Sequence, residues 1–161
     1  MICSMTLDTS AGPLHVAYRG GSVCLSLLDS TEEAFRNECL RRLGEEPSAR
    51  EDAELRRLVS ERLSHGASVP LDLGRCTHFQ KDVLEAVASI PRGQMRTYAQ
   101  VAASVGRPLA ARAVGEVMRT NPIPVLIPCH RVVRSGGAIG NYSPRAELKR
   151  HLLIEEGAIP P

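Results

Sequence analysis

The sequence predicts an α+β chain, with a small N-terminal three-stranded antiparallel sheet and helices followed by a mostly helical C-terminal domain that contains a helix-turn-helix. Three observations carry this prediction: apolar runs separated by hairpin signals at the start, capped amphipathic segments after them, and a reversal of charge near residue 74. With 161 residues, 43% hydrophobic and 24% charged, the chain has apolar surface enough for a cooperative core. A disordered, fibrous or membrane-spanning protein is excluded.

In the first half, residues 2–7, 14–18 and 23–28 are short apolar runs, punctuated by Ser10-Ala11-Gly12 and Gly20-Gly21. Such spacing reads as strands joined by hairpins. Two amphipathic helices follow. The first is expected to open on Ser30, with Glu33 completing a capping box, to bury Phe35, Cys39, Leu40 and Leu43, and to stop at Gly44. The second is expected to open on Ser48 with Glu51 and to bury Leu55, Leu58, Val59 and Leu63. His15 and His65 stand alone, as packing or surface residues. Residues 70–75 read as a linker, so the domains are expected at 1–74 and 75–161.

The second half opens on Thr77-x-x-Gln80, a capping box heading a helix with Phe79, Val83, Val87 and Ile90 at helical spacing, which Pro91 and Gly93 end. Thr97-x-x-Gln100 heads a short helix through Val105. After Gly106-Arg107-Pro108 a further helix is expected from about Leu109 to Arg119, closed by Asn121-Pro122. Helix, tight glycine-containing turn and helix in a basic segment form the helix-turn-helix pattern. The second helix carries Ala110, Ala111, Ala113 and Gly115, too small to reach base edges, with Arg112 as a single long cation among them. Ser143-Pro144 reads as the start of a last helix with Leu148, Leu152 and Leu153 inward, ending at Gly157.

Residues 1–74 hold eight Arg and no Lys against 12 acidic residues, a charge of −4, whereas residues 75–161 hold ten Arg and two Lys against six acidic residues, +6. A basic half of that size suggests an anionic partner, nucleic acid first. The five cysteines, Cys3, Cys24, Cys39, Cys76 and Cys129, are odd in number and lack CxxC clustering, which argues against a disulfide framework and a zinc site. No metal and no cofactor are expected. A reducing cytoplasm fits this cysteine usage, and no apolar stretch is long enough for a leader or a membrane span.

Residues 127–133, Ile-Pro-Cys-His-Arg-Val-Val, place a thiol beside an imidazole and a guanidinium. Thiolate is the nucleophilic form, and an adjacent His or Arg lowers a thiol from its reference of about 8.5. In a regular strand neighbouring side chains point to opposite faces. His130 can therefore serve Cys129 only through a local turn or a bridging water, and Pro128 favours irregular backbone here.

The segment from Thr77 to Gly157 resembles the O6-alkylguanine-DNA alkyltransferase family. Pro128-Cys129-His130-Arg131 is similar to its active-site signature, Arg112-Ala-Val-Gly115 to its recognition helix, and Asn121-Pro-Ile-Pro124 to its Asn-hinge loop. Gly140-Asn141-Tyr142-Ser143 is similar to its active-site loop, and Leu152-Leu153-x-x-Glu156-Gly157 to its C-terminal carboxylate motif. Residues 1–74 fit as the family's more variable N-terminal domain, a three-stranded sheet with flanking helices.

The resemblance implies single-turnover transfer of an alkyl group from O6-alkylguanine, and from O4-alkylthymine, to Cys129, with the damaged nucleotide flipped out of double-stranded DNA bound through the minor groove. Within it His130 is the base, acting through a water, Glu156 the carboxylate that orients the imidazole, and Tyr98 the proton donor to the leaving guanine. The carbonyls of Cys129 and Val132 accept from the guanine amine, the Ser143 amide contacts O6, Tyr142 walls the pocket, and Asn121 ties the hinge. Arg112 fills the space of the extruded base, while Thr97, Ala110, Ala111 and Gly115 lie against DNA. Lys149 matches a lysine of the family that fixes loop structure. Pro144 and Arg145 stand where many relatives have glycine. The protein is expected to be a monomer. The competing readings are a lesion-binding protein or a helix-turn-helix regulator, both without transfer, and a Cys-His hydrolase, which would turn over repeatedly.

Overall fold

The computed structural model describes residues 1–137, 139 and 146–161. The chain divides into two compact units, Met1–Arg75 with Pro122–Leu126, and Cys76–Asn121 with Ile127–Pro161.

In the first unit β1 (Cys3–Thr9), β2 (Gly12–Arg19) and β3 (Ser22–Leu28) form consecutive antiparallel hairpins. Arg19 pairs with Ser22 across Gly20-Gly21, whose φ angles of 56° and 77° are those of the primed turn that matches strand twist. β2 is central and buried from Leu14 to Tyr18. After α1 (Glu32–Leu43), β4 (Ser48–Ala49) adds in parallel beside β1, giving the order β3-β2-β1-β4. α2 (Ala53–His65) follows. Phe35, Cys39 and Leu43, four apart on α1, pack with Ile2, Ala17, Cys24 and Leu25. Burial pushes the Cys24 thiol up to about 11 and the Cys39 thiol up to about 12, which leaves both as inert core residues.

Several local expectations are corrected. Thr31, not Ser30, caps α1, accepting from the Ala34 amide. Ser48 belongs to the sheet edge, and Asp52 caps α2 by accepting from Leu55. Leu40 is exposed. The stretch 70–75 is strapped to β3, because Val23 donates to Pro70 and Asp72 donates to Val23. Of the two roles expected for His15 the structure gives packing: it is buried, stacked on Phe35 and bonded to Thr6 Oγ1 and the Ser30 carbonyl.

The second unit contains α3 (His78–Ala88), β5 (Arg96–Thr97), α4 (Tyr98–Ser104), α5 (Ala111–Arg119), β6 (Val132–Val133) and α6 (Ala146–Glu155). Both capping boxes, Thr77 with Gln80 and Thr97 with Gln100, are present in full. α5 starts two residues later than expected, at Ala111, with no side-chain cap on Ala110 and with Leu109 fully exposed before it. Its inner face is Val114, Val117 and Met118. The proposed cap at Ser143-Pro144 lies outside the described residues. No helix among the described residues is long and apolar enough to cross a membrane.

Candidate active site

The local backbone around Cys129 follows from Pro128. The ring holds φ at −79°, ψ is 66°, and the Cys129 amide donates to the Ile127 carbonyl at 2.8 Å, an inverse γ-turn. A single 3-10 turn, Cys129–Arg131, follows, with the Arg131 amide donating to the Pro128 carbonyl. The chain then enters β6, which pairs in parallel with β5 so that Arg96 faces Val132 and Thr97 faces Val133. Since Tyr98 directly follows β5, this pairing sets the first residue of α4 beside the thiol turn. The turn also removes the strand alternation that would have sent Cys129 and His130 to opposite faces.

Cys129 is buried, with 4% of its surface exposed, and His130 is fully buried. Across from them Glu156 lies one residue beyond α6, its carboxylate 6% exposed. His130 Nε2 bonds Glu156 Oε1 at 2.8 Å. Arg131 grips the same carboxylate with two nitrogens, Nε on Oε2 at 2.9 Å and Nη2 on Oε1 at 2.8 Å, and its Nη1 donates to the Ile90 carbonyl at the end of α3. The turn after α3 seats the other side of Glu156: Gly93 has φ of 84°, and a Cβ there would stand 3.1 Å from the Glu156 carbonyl oxygen.

The electrostatics follow from these contacts. Burial pushes the Glu156 carboxyl up, but the hydrogen bonds and charges of His130 and Arg131 outweigh it and hold it down at about 2. An ionised Glu156 only accepts, so the proton on His130 sits on Nε2. For His130 itself burial is the largest influence and lowers its basicity, the Glu156 carboxylate opposes, and Arg131 and Lys149 reinforce the lowering. The imidazole is therefore neutral, and its Nδ1, buried and without a hydrogen-bond partner among the described residues, carries the available lone pair. Tyr98, half-buried, is pushed up first by burial and then by the nearby Cys129, while Arg134 opposes. Its phenol stays protonated.

Lys149 is 1% exposed and donates from Nζ to the Val132 carbonyl at 2.7 Å; burial lowers it to about 8, Cys129 pulling the other way. The Cys129 carbonyl likewise accepts from the Val132 amide. Asn121, also buried, donates from Nδ2 to the Ile127 carbonyl at 3.0 Å, closing the two ends between which residues 122–126 leave this unit. On α5 Arg112 and Ala113 are exposed, Ala110 and Ala111 partly so, and a Cβ on Gly115 would meet the Tyr98 ring at 3.9 Å. Thr97 caps α4 at the same end as Tyr98. Tyr142 and Ser143 lie outside the described residues, as do Pro144 and Arg145. Among the described residues no group of three His, Cys, Asp or Glu could hold a metal ion.

The structure thus gathers Cys129, His130, Glu156 and Tyr98, with Val132 and Asn121 behind them. Two participants escaped the sequence reading. The sequence sets Arg131 beside the thiol, whereas the turn directs it onto Glu156. Lys149, which the resemblance gives only a role in loop structure, is buried with its ammonium on the Val132 carbonyl. The signal for it was its spacing, since Lys149, Leu152, Leu153 and Glu156 recur at i, i+3, i+4 and i+7 and so share a helix face.

A family model described as "6-O-methylguanine DNA methyltransferase, DNA binding domain" matches residues 78–158. A Mycobacterium bovis protein named methylated-DNA–protein-cysteine methyltransferase is 36% identical over 164 residues, covering 99% of this chain and 96% of its own. The chain belongs to this family. Relatives of the same name from Methanothermobacter thermautotrophicus and Homo sapiens are 47% and 51% identical, over 54% and 49% of this chain. Those matches span only 48% and 39% of the relatives' own length. Among solved methyltransferase structures, the Mycobacterium tuberculosis O6-methylguanine methyltransferase aligns with a TM-score of 0.77 at 31% identity, covering all of this chain and 96% of that one. The same organism's OGT in complex with DNA aligns with a TM-score of 0.76 at 31% identity, over 95% and 91% of the two chains. The family's α+β architecture, an N-terminal antiparallel sheet with helices and a helical C-terminal part, is therefore that of this chain.

Proposed function

We propose that this protein repairs alkylated DNA by moving the alkyl group from O6 of guanine, or O4 of thymine, onto Cys129 in a single stoichiometric turnover. The observation that carries this reading is the buried neutral imidazole of His130, tied through Nε2 to Glu156 and with Nδ1 unpartnered among the described residues, in the same turn as the Cys129 thiol. The Cys129 proton passes to Nδ1 by way of water. Sγ attacks the alkyl carbon, the carbon–O6 bond breaks, and the Tyr98 hydroxyl gives its proton to the departing guanine. The proton held by His130 makes good that loss. Glu156 keeps the imidazole in the tautomer that can accept and balances the imidazolium that forms.

The target atom lies inside the base stack, so the nucleotide is extruded from the duplex. Arg112 occupies the space it leaves, and the small residues Ala110, Ala111 and Gly115, with Thr97 beside them, let α5 approach the backbone in the minor groove without reading sequence. Asn121 ties the hinge to the cysteine segment, the Val132 carbonyl and Ser143 amide contact the base, and Tyr142 walls the pocket. The domain 75–161 binds DNA and carries the chemistry, the domain 1–74 supports it, and the protein acts as a monomer in the cytoplasm without metal or cofactor.

Intact-protein mass spectrometry after incubation with duplex containing O6-methylguanine tests this reading. The mass is expected to rise by one methylene unit, located at Cys129, and to stop there. No rise leaves a lesion-binding protein, and turnover beyond one equivalent a hydrolase. For Arg112→Ala, transfer from duplex is expected to slow by about tenfold, the equivalent of about 1.4 kcal/mol of stabilisation of the flipped state. Transfer from the free alkylated base should be unchanged. Equal slowing on both substrates would remove Arg112 from the extrusion step.

A further inference from the structure

The Glu156 carboxylate serves two partners. Its Oε1 receives both His130 Nε2 and Arg131 Nη2 at 2.8 Å, and Oε2 receives Arg131 Nε at 2.9 Å. The Arg131 fork matches a carboxylate bidentately, and the guanidinium cannot lose its proton. The pair is therefore neutral as a unit and almost enclosed, with 10% of the Arg131 side chain and 6% of the Glu156 side chain exposed. A carboxylate facing an imidazole alone favours the imidazolium because the opposite charge is close, and so works against the burial that disfavours a charged ring. A protonated ring would hold a proton on Nδ1 before any thiol arrived.

We propose that Arg131 is a positioning residue which shares the Glu156 carboxylate with His130 and so weakens the pull of that carboxylate towards an imidazolium, leaving the Nδ1 lone pair to take the thiol proton. The inference rests on the alkyl-transfer reading for its consequence in rate, but not for its consequence in charge. The groups that His130 faces are consistent with it. Lys149 on α6 adds a second positive charge with the same effect, Cys129 is the titratable neighbour in the same turn, and Tyr98 on α4 faces Cys129. α3 contributes the Ile90 carbonyl, which fixes the third edge of the guanidinium at 2.7 Å and prevents it from turning away from Glu156. Arg131 thus offsets part of what Glu156 does, and the balance selects a base that is neutral at rest yet still stabilised once protonated.

The test compares wild type with Arg131→Met, Arg131→Lys and the double variant Arg131→Met/Glu156→Gln. Transfer from O6-methylguanine duplex is followed across pH, and the His130 ring is titrated by nuclear magnetic resonance in the full-length protein without DNA. In Arg131→Met the acid limb of the rate profile and the ring titration are both expected to move up by about one pH unit, so that transfer below both limbs falls about tenfold. Arg131→Lys, which keeps the charge, should lie between this variant and wild type, and serves alone if Arg131→Met does not fold. The double variant, lacking both charges, should not move up. A ring titration that stays in place in Arg131→Met, or in Arg131→Lys where only that variant folds, overturns the proposal, even if the rate falls at every pH, because a purely structural role gives that result. If wild type transfers no alkyl group, the functional reading fails while the ring titration still decides the role of Arg131.

Discussion

Cys129→Ser is expected to bind O6-alkylguanine duplex as wild type does and never to gain mass. The backbone that presents this side chain is set by the γ-turn at Pro128 and the 3-10 turn behind it, and neither uses the sulfur. A hydroxyl therefore occupies the same place, in a site only 4% exposed, with little change of shape. Its chemistry differs, since a hydroxyl is far less acidic and less nucleophilic than a thiol, and a neutral imidazole with Nδ1 as its base is too weak to ionise it. Transfer should fall by at least about 10³-fold, beyond detection in an intact-mass assay run for hours, while a gel-shift titration against lesion-containing duplex is unchanged. Loss of both activities would mean that the sulfur also shapes the pocket. Retention of transfer would move the acceptor to another of the five cysteines. Cys24 and Cys39 are poor candidates for that, because burial raises both thiols to values at which they remain protonated.

What could be read in advance divides by the range of the interactions. The capping boxes at Thr77 and Thr97 involve residues three apart, and both form as the sequence implies. At the first two helices the pattern was ambiguous or overridden. Ser30 and Thr31 are both good caps, and the chain uses the second; Ser48 is drawn into parallel pairing with Cys3, a tertiary demand that local propensity does not contain, so the cap passes to Asp52. The same division holds in the active site. That a thiol, an imidazole and a guanidinium stand in a row is plain from residues 129–131. That the third turns back onto Glu156, 25 positions away, depends on the 3-10 turn and on how α6 ends. Burial decides the protonation states, and burial belongs to the folded chain: spacing sets Lys149 on the inner helix face, but only the fold brings the Val132 carbonyl to its ammonium.

Glu156→Ala carries the largest expected loss of stability. It leaves the Arg131 guanidinium, a charge that cannot be discharged, without a counter-ion in a site where its side chain is 10% exposed. Removing one partner of a buried pair typically costs about 3–5 kcal/mol, a large part of the stability of a domain this size. The carboxyl's own titration gives a consistent magnitude. Held down at about 2 against an ordinary 4.5, it contributes on the order of 3 kcal/mol to the folded state. Because the folded value is the depressed one, that contribution is present above about 4.5 and is lost as the pH falls from there towards about 2. Urea unfolding at pH 7 should place Glu156→Ala well below wild type, and the gap should narrow between pH 4.5 and pH 3. The His130 ring, whose burial resists protonation, lowers stability below its ordinary value of 6.5, and more so in Glu156→Ala because the carboxylate that opposes the lowering is gone, so the comparison is repeated with His130→Gln in both proteins to isolate the carboxylate. A gap that stays constant down to pH 3 would assign the loss to packing instead of charge, and with it would go the argument that Glu156 holds His130 and Arg131 as an anion.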